Sequence, residues 1–381
     1  MPDMRFAPAP VLLAQKSAGG LNQMSVRGHN ERLILDLLRR EGTLSRLEIG
    51  QNTGLSAQTV SVLVRALLKE GLLLEGETSR GRVGPPTTPF SLHPEGAFAL
   101  GIYAGARVLD ACLMDFKGVL QQTHRQAIET GKDVADQVTD LAADILSAAP
   151  VAARERCLGL GLGVNQVHWS RDRGIGQNGW HPGSGLDAVE PQLTHQTGLP
   201  CYILDDTTSA ATGHVLYGGK ETGSSFLYCH VGARTQARVV LHGQAQVGHD
   251  EGLSVLPGLA ALEEKLMAAR LGSTDVWMGN QLPDSARDVF TGWVGDVACS
   301  LASVAFGLLA FLDIPRVVLV TSLAEEDRAV LCKALEAELS NRKLKVDTTI
   351  GHNPQWAKAS GAAACVLSNR FTPDWGKNAA T

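Results

Sequence analysis

Apolar residues between positions 30 and 54 recur at helical spacing in two blocks that end at glycines. The first block begins at Asn30 and ends at Gly42, where a C-terminal cap belongs. Its apolar residues lie three and four positions apart: Leu33, Ile34, Leu37 and Leu38. Ser45 followed by Glu48 is the pattern of a capping box, and Gly54 closes the second block. The pattern predicts two short helices in close succession.

A third helix is predicted from Ser56, which is placed as its N-cap, to Lys69. One face of this helix is apolar and carries Val60, Leu63, Val64 and Leu67. The opposite face carries Gln58, Ser61, Val62 and Arg65. Three short helices with a glycine-containing turn between the second and the third have the spacing of a helix-turn-helix.

Two short strands are expected after the third helix, at residues 72–75 and 89–92, with a glycine-rich and proline-rich run between them. This arrangement predicts a winged helix. Arg80 and Arg82 lie in the wing beside glycines, which is typical of an arm that enters a narrow minor groove. The alternative is a small helical domain that docks on protein, because helix-turn-helix shapes are also used away from DNA.

Strand and helix patterns alternate from Phe98 onward, which predicts α/β architecture. Three consecutive antiparallel strands are expected first, then a helix, then alternating strands and helices. The last third is expected to hold helices around one parallel strand. The predicted strands are 100–103, 108–115, 119–122, 157–164, 201–204, 226–231, 237–241 and 317–321, and the predicted helices include 133–147 and one that ends near His214.

Composition narrows the classes of protein that fit. The 381 residues are 44% hydrophobic and 19% charged, which is the composition of a folded chain. The net charge of −5 excludes polybasic nucleic-acid binding, yet residues 25–82 carry nine basic and seven acidic side chains. Any contact with nucleic acid is therefore expected to be local.

Neither a disulfide framework nor a membrane span is expected. The seven cysteines include no pair at C-x-x-C spacing and are expected to be reduced and mostly buried. The uncharged run Val297–Leu312 has sixteen residues, fewer than the roughly 20 that cross a bilayer, and is expected to be a buried helix. Residues 1–24 have no apolar core of a signal peptide and are expected to form a flexible tail of a cytoplasmic protein.

The order of these parts resembles the transcription-regulator branch of the ROK family (repressors, open reading frames and sugar kinases), over residues 25 to 370. The helix-turn-helix resemblance rests on Leu44-Ser45-Arg46 with Glu48, on Thr53-Gly54-Leu55-Ser56 and on Thr59-Val60-Ser61; Gly81-Arg82 with Pro85 resembles the wing and linker. Three further segments resemble the kinase fold of the family. They are Leu100-Gly101-Ile102 with Gly105, Gly198-Leu199-Pro200, and Asp313-Ile314-Pro315 before Val317-Val318-Leu319. The resemblance implies an α/β chain with an N-terminal winged helix-turn-helix at 25–92, followed at 98–375 by a two-lobed actin-like (ribonuclease H-like) ATPase fold.

Three segments depart from the kinases of the family. Tyr103 stands where the first strand of a kinase has an acidic residue. The second phosphate loop, glycine-rich in kinases, reads Gly232-Ala233-Arg234-Thr235-Gln236-Ala237-Arg238, and Thr321-Ser322 stands where a Gly-Gly pair is expected. Side chains at these positions obstruct the close backbone approach that cradles phosphate, so no ATP and no other cofactor is expected.

The cysteine and histidine ligands of the family's zinc site are also missing, because no cysteine lies between 229 and 299. No metal is therefore expected. The resemblance aligns Asp206 with the catalytic aspartate and Asp205 with the residue before it, in a cleft near 206. Further candidate ligand-binding residues are Asn178, next to Trp180 in an Asn-Trp segment, and Glu251 and Glu263. The alternative for Asp205 or Asp206 is that it caps the following helix.

The sequence thus predicts a DNA-binding transcriptional regulator, a repressor of a carbohydrate-utilisation operon, with a catalytically inactive kinase-like domain for sensing and dimerisation. The candidate DNA-binding residues are Ser56, Gln58, Thr59, Ser61, Arg65, Arg80 and Arg82. The expected partners are a pseudo-palindromic double-stranded operator, a sugar or sugar-derivative effector, and a second copy of the chain. Two alternatives stay open: a carbohydrate kinase with an accessory domain, and a DNA-binding factor that needs no ligand.

Overall fold

The computed structural model describes residues 23–77, 87–164, 186–219, 225–246 and 256–373. It has three parts: an N-terminal winged domain and two lobes, each built on one β-sheet. The winged domain contains α1 (Gln23–Glu41), β1 (Leu44–Ser45), α2 (Arg46–Thr53), α3 (Ala57–Lys69), β2 (Leu73–Glu75) and β3 (Pro89–Leu92).

The predicted helix signals of the winged domain are confirmed. The backbone N–H of Ser45 donates to Glu48 Oε2 at 2.7 Å, and the N–H of Glu48 donates to Ser45 Oγ at 3.3 Å, which completes the capping box. Gly54 ends α2 with φ of 71°, a left-handed conformation that favours glycine. The short strands pair in the order β1-β3-β2, so β2 and β3 form the base of the wing.

The first helix starts earlier than predicted. It begins at Gln23 and not near Asn30, and an ion pair of 2.9 Å between Arg27 and Glu31 spans its early turns. Glu31 is fully buried although it is charged. The apolar stripe after Asn30 identified the buried part of the helix and missed its start.

Lobe 1 is a five-stranded sheet in the order β6-β5-β4-β7-β8. Its strands are β4 (Phe98–Ala104), β5 (Val108–Asp115), β6 (Leu120–Ala127), β7 (Cys157–Val164) and β8 (Cys201–Asp205). Strands β4, β5 and β6 are antiparallel as predicted, and β7 and β8 continue the sheet in parallel. One face is covered by α4 (Val134–Ala148), with α5 (Val151–Glu155) and α6 (Leu186–Thr197) nearby in the chain.

Lobe 2 is a five-stranded sheet in the order β11-β10-β9-β12-β13. Its strands are β9 (Phe226–Val231), β10 (Thr235–Leu241), β11 (Gln244–Ala245), β12 (Arg316–Thr321) and β13 (Asp347–Ile350). The helices that pack on its outer face or follow it in the chain are α8 (Leu259–Ala268), α9 (Thr274–Met278), α10 (Arg287–Leu309) and α11 (Glu325–Asn341). The expectation of a single parallel strand in the last third was wrong, because β13 pairs with β12 as a half-exposed edge strand that has little apolar signal.

Two helices, α7 (Asp206–Tyr217) and α12 (Ala357–Phe371), lie between the two sheets. Helix α12 packs closely on lobe 1, where a Cβ added to Gly161 would lie 2.5 Å from the carbonyl oxygen of Ala362. A Cβ on Gly101 would collide with the carbonyl oxygen of Ala359. Gly101 and Gly161 therefore allow α12 to pack closely on the strands of lobe 1.

One helical segment of the described residues, 284–309, is long and apolar enough to cross a membrane by length and composition alone. One face of α10 packs in the core of lobe 2 through Trp293, Val297 and Leu301. Phe306 on its other face is 54% exposed. The prediction of a buried helix over Val297–Leu312 therefore holds for one face only, because the opposite face has no element of the described chain against it.

All seven cysteines are free thiols, and four of them are buried. Burial raises the pKa of the Cys201, Cys229 and Cys365 thiols to about 12, so these groups stay protonated and unreactive. Cys157 and Cys365 are half-buried, and Cys299 on α10 is exposed, contrary to the expected burial.

Candidate DNA-binding surface and interlobe cleft

Helix α3 presents one polar face to solvent. Its apolar side chains Val60, Leu63, Val64 and Leu67 are buried against the rest of the winged domain. Gln58 and Arg65 are exposed on the other side and Ser61 is half-buried. None of these three side chains forms a hydrogen bond within the described residues, so their donors and acceptors are available to another molecule.

Ser56 and Thr59 have a local role at the start of α3. Ser56 Oγ accepts a hydrogen bond from the Thr59 backbone N–H at 3.2 Å, and the two hydroxyl oxygens lie 2.8 Å apart. This cap satisfies one of the free N–H groups at the helix N-terminus. Arg80 and Arg82 lie outside the described residues, which resume at the second strand of the wing.

The cleft between the lobes is centred on Asp206, the first residue of α7. Its carboxylate is fully buried and accepts a hydrogen bond from Lys358 Nζ at 2.6 Å and another from Thr207 Oγ1 at 3.0 Å. The ammonium group of Lys358 also donates to Gln236 Oε1 at 2.9 Å, and it lies 4.7 Å from the centre of the Tyr103 ring. A buried cation from α12 therefore neutralises the candidate catalytic carboxylate.

Burial is the largest single influence on the pKa of Lys358 and would lower it, but the charges and hydrogen bonds of Asp206 and Tyr103 together outweigh burial and hold that pKa above its ordinary value. The ammonium group is therefore charged at neutral pH. The Asp206 carboxylate is thus held in a buried ion pair, and removing either partner would leave an unpaired charge in the interior.

Asp205 caps α7, as the alternative interpretation of this residue expected. Its Oδ1 accepts from the Thr208 backbone N–H at 2.7 Å and from Arg238 Nη2 at 2.9 Å. Arg238 comes from β10 in lobe 2, is almost fully buried, and also donates to Thr208 Oγ1 at 2.8 Å. The pair Asp205–Arg238 thus joins the two lobes.

Glu263 on α8 lies at another junction of the lobes. It pairs with Arg107 of the β4–β5 turn at 3.3 Å, and the Arg107 side chain is 38% exposed. Among the sequence candidates the structure thus brings Asp205 and Asp206 together, and it places Glu263 in a separate ion pair. Asn178 and Glu251 lie outside the described residues.

A small cavity of about 30 Å³ remains in the cleft beside Lys358. This volume holds on the order of two water molecules. The bidentate pair between Arg125 and Asp110, with distances of 2.6 and 2.8 Å, lines one side of it. His230 and Trp277 line it too, and each has a buried nitrogen without a hydrogen-bond partner in the described part of the chain. Bound water is the simplest partner for such groups.

The sequence did not point to Lys358, and it did not predict the contacts that two residues of the second phosphate loop make. Gln236 and Arg238 were expected to crowd a nucleotide, and in the structure they hold Lys358 and Asp205. The signal for Lys358 was a single lysine in a run of small residues, Ala357-Lys358-Ala359-Ser360-Gly361. Among the described residues no group of three or more His, Cys, Asp or Glu side chains could hold a metal ion.

Comparisons with known proteins agree with this architecture. A family model described as winged helix-turn-helix DNA-binding matches residues 28–73. An uncharacterized protein, y4fQ, of Sinorhizobium fredii is 23% identical over 306 residues, which cover 76% of this chain and 77% of that protein. A putative xylose repressor of Caldicellulosiruptor sp. is 26% identical over 234 residues, which cover 58% of this chain and only 55% of the repressor.

Two solved structures share the fold. A ROK family transcriptional regulator described as a homolog of the E. coli MLC protein has a TM-score of 0.62 and 14% identity, covering 91% of this chain and 98% of that one. A ROK family glucokinase from Streptomyces griseus, in complex with glucose and AMPPNP, has a TM-score of 0.52 and 13% identity, covering 71% and 99%. The fold is therefore a winged helix-turn-helix joined to a two-lobed domain of the sugar-kinase type. The chain is thus similar in sequence to a putative xylose repressor and in fold to a ROK family transcriptional regulator, and it carries an N-terminal winged helix-turn-helix of the DNA-binding type.

Proposed function

We propose that this protein is a cytoplasmic transcriptional repressor of a carbohydrate-utilisation operon. Residues 25–92 bind DNA, and residues 98–375 form the sensing and dimerisation domain. The observation that carries the proposal is the exposed polar face of α3, where Gln58, Ser61 and Arg65 have no hydrogen-bond partner in the described chain. The match to a winged helix-turn-helix model and the similarity to a putative xylose repressor support it.

The recognition helix is α3, and its polar face lies in the major groove. Gln58, Ser61 and Arg65 reach base edges there, with Arg65 also within reach of phosphate. Ser56 and Thr59 lie at the positive N-terminal end of the helix, where they approach the DNA backbone. Arg80 and Arg82 of the wing enter the adjacent minor groove.

The protein acts as a homodimer or a dimer of dimers. A two-fold assembly presents two recognition helices, so its operator is a pseudo-palindrome. The net charge of −5 fits this arrangement, because affinity for DNA comes from the local basic surface of the winged domain.

A sugar or sugar derivative binds in the cleft near Asp206 and lowers operator affinity. Thr207 is the neutral donor on Asp206 Oδ1, and a sugar hydroxyl can replace it as a donor of the same kind. Asn178 and Glu251, with Asp205 and Glu263, are the other proposed contacts. The ion pairs of Asp205 and Glu263 must rearrange when the effector binds. The contacts between the lobes therefore differ between the occupied and the empty cleft.

The kinase-like domain is catalytically inactive. The Lys358 ammonium group occupies Asp206 Oδ2 in a buried ion pair, where a substrate hydroxyl would have to approach, and a cavity of about 30 Å³ beside Lys358 does not admit a nucleotide in this closed arrangement. Phosphoryl transfer depends on positioning and charge stabilisation of the phosphates. The side chains of Tyr103, Gln236 and Arg238 surround the carboxylate and the lysine in place of a phosphate-binding loop of glycines.

The decisive experiment is selection of operator sequences from random duplex DNA by the full chain, followed by binding measurements on Arg65→Ala. The selected sites should be pseudo-palindromes. Removing Arg65 should weaken operator binding by about tenfold or more, because one specific base contact is worth about 1–3 kcal/mol. If the guanidinium also contacts phosphate, the slope of log binding constant against log salt concentration should fall in magnitude by about one per subunit.

Arg154→Ala is a matched control for Arg65→Ala. Arg154 is an exposed arginine of lobe 1 whose side chain donates to the Ser147 carbonyl oxygen at 3.4 Å, and its removal should leave operator binding unchanged. Selection that enriches no sequence, or equal affinity of Arg65→Ala and the parent, would contradict the DNA-binding role of α3 and favour docking on protein.

A further inference from the structure

Helix α7 contacts all three parts of the molecule. It follows β8 of lobe 1 directly, and Ala210 and Ala211 lie in an apolar cluster with Phe226 and Tyr228 of lobe 2. Its C-terminal end contacts α1 of the winged domain. The helix has 12 residues and is therefore about 18 Å long. One rigid element thus spans the distance from the cleft to the DNA-binding domain.

The N-terminal end of α7 is fixed by the charged groups of the cleft. Asp206 is bonded to Lys358, and Lys358 is bonded to Gln236 of lobe 2. Asp205, the N-cap, is bonded to Arg238 of lobe 2. A change in the separation of the lobes must therefore either break these bonds or move the first turn of α7.

The middle of α7 cannot slide on its neighbour α12. A Cβ added to Gly213 would lie 2.8 Å from Gly361 Cα, and one added to Gly361 would lie 2.5 Å from Ala210 Cα. The two helices run in backbone contact with side chains too small to yield. Closely packed interiors of this kind transmit displacement because they have little room to deform.

The C-terminal end of α7 is capped by the winged domain. Arg39 of α1 donates from Nη1 to the Leu216 carbonyl oxygen, and its guanidinium lies 5.7 Å from the centre of the Tyr217 ring. Arg39 is only 13% exposed and is also paired with Asp36 at 2.8 Å. A cation at the carbonyl end of a helix is favourable both as a hydrogen-bond donor and through the helix dipole.

Lobe 1 in turn supplies an arginine that donates to carbonyl oxygens at the C-terminal end of α3. Arg156, at the start of β7, donates to the carbonyl oxygens of Gly71 at 3.3 Å and Glu70 at 3.5 Å. Glu70 is the C-cap residue of α3. Each of the two domains therefore supplies an arginine to the C-terminal carbonyl groups of a helix in the other domain.

We infer that α7 is the relay by which the state of the cleft sets the position of the recognition helix, through the reciprocal arginine caps of Arg39 and Arg156. The inference rests on the proposed function, and it names the route of its regulation. Movement at Asp206 displaces α7 along with α12, Arg39 carries that displacement into α1, and Arg156 keeps the end of α3 in register with lobe 1.

Hydrogen exchange of the full-length protein, without DNA or effector, tests the relay. Lys358→Met removes the cation that fixes Asp206. We expect the backbone amides in the C-terminal turns of α1 and α3, residues 35–41 and 66–70, to exchange at least about tenfold faster than in the parent protein. The amides near the cleft should also exchange faster. In a protein that also carries Arg39→Ala and Arg156→Ala, Lys358→Met should no longer change exchange in these two turns.

Arg154→Ala combined with Lys358→Met is the matched control, because Arg154 lies beside Arg156 in the chain and bonds within lobe 1. The control should retain the full response of α1 and α3. If Lys358→Met does not fold, Gln236→Ala removes the lobe 2 acceptor without leaving Asp206 unpaired, and the same pattern is expected in weaker form.

Faster exchange confined to the cleft would overturn the inference, and so would an undiminished response of α1 and α3 after loss of both arginines. These outcomes are independent of operator binding. The relay can therefore be disproved while an operator is found, and it can be supported when no operator is found. The two proposals are tested separately.

Discussion

His214 is a buried histidine whose hydrogen bond requires a neutral ring. It lies on α7, 6% exposed, and its Nδ1 accepts the backbone N–H of His352 at 3.1 Å. The ring of Phe226 packs edge-on at 5.3 Å. Burial, with smaller contributions from His352 and Arg316, lowers the pKa of His214 to about 4. The neutral form therefore belongs to the folded state at physiological pH.

Stability should fall as the pH is lowered from about 6.5 to 4. In this window the unfolded chain protonates His214 and the folded chain does not, so the unfolded state binds more protons and is stabilised relative to the folded state. A depression of the pKa from 6.5 to about 4 corresponds to about 3 kcal/mol. Denaturant unfolding at pH 7 and at pH 4 measures the loss.

His214→Asn keeps an acceptor near the position of Nδ1 and removes the titration. Its stability should fall less than that of the parent over the same pH window, by about the 3 kcal/mol assigned to His214. Other buried histidines, such as His230, titrate alike in both proteins and cancel in the difference. Parallel curves for parent and variant would show that His214 does not carry the effect.

Helix packing in the centre of the molecule depends on residues without side chains. Gly361 of α12 faces α7, where an added Cβ would lie 2.5 Å from both Ala210 Cα and the Ser209 carbonyl oxygen. Both obstructing atoms belong to the backbone, so neither can rotate away. Gly292 of α10 is the opposite case, since an added Cβ would meet no atom within 4 Å.

Gly361→Ala should destabilise the protein by about 2–3 kcal/mol, because overpacking against backbone forces the two helices apart. Gly292→Ala, the same substitution in another helix, should stabilise it by about 0.5–1 kcal/mol, because alanine has the higher helix propensity. Urea unfolding of the two variants beside the parent measures the contrast. Equal effects of both substitutions would mean that α7 and α12 are not in backbone contact.

At the scale of the whole molecule, hydrogen bonds and ion pairs of charged side chains join the two lobes. Asp205–Arg238 and Lys358–Gln236 lie at the cleft, and Arg107–Glu263 lies at a more exposed junction. The winged domain shares an apolar cluster with lobe 1, where the rings of Phe116 and Phe371 lie 4.5 Å apart. The proposed ligand between the lobes would therefore act on the same body that carries the proposed DNA-binding surface.

Thermal unfolding in the presence of sugars, sugar phosphates, amino sugars and polyols should reveal one stabilising class, whereas ATP with Mg²⁺ should have no effect. A ligand at 100 times its dissociation constant adds about 2.7 kcal/mol, enough for a measurable shift in Tm. Asp206→Ala combined with Lys358→Met removes the carboxylate without leaving a buried cation, and it should abolish the shift.

Stabilisation by ATP would contradict catalytic inactivity and revive the interpretation as a carbohydrate kinase. A panel without any stabilising sugar, and with parent and double variant alike, would favour the ligand-independent DNA-binding factor.

Local structure followed from the sequence where the determining atoms lie within a few residues. The capping box of Ser45 and Glu48 and the N-cap Ser56 were predicted at their positions, because each bond joins residues three apart in the chain. The periodicity of α3 likewise identified its buried and exposed faces. The edge strand β13 was missed because it has little apolar signal and pairs with β12, and the first turns of α1 were missed because they are polar.

The sequence by itself determined the order of helices and strands, the winged domain with its exposed face, and the erosion of the phosphate-binding loops. Only the tertiary structure decided the chemistry of the cleft. Lys358 lies 152 residues from Asp206 in the chain, and Arg238 lies 33 residues from Asp205. Such pairs form because α12 packs on the glycines of β4 and β7 and because β10 faces α7 across the cleft, and no local pattern encodes contacts of that range.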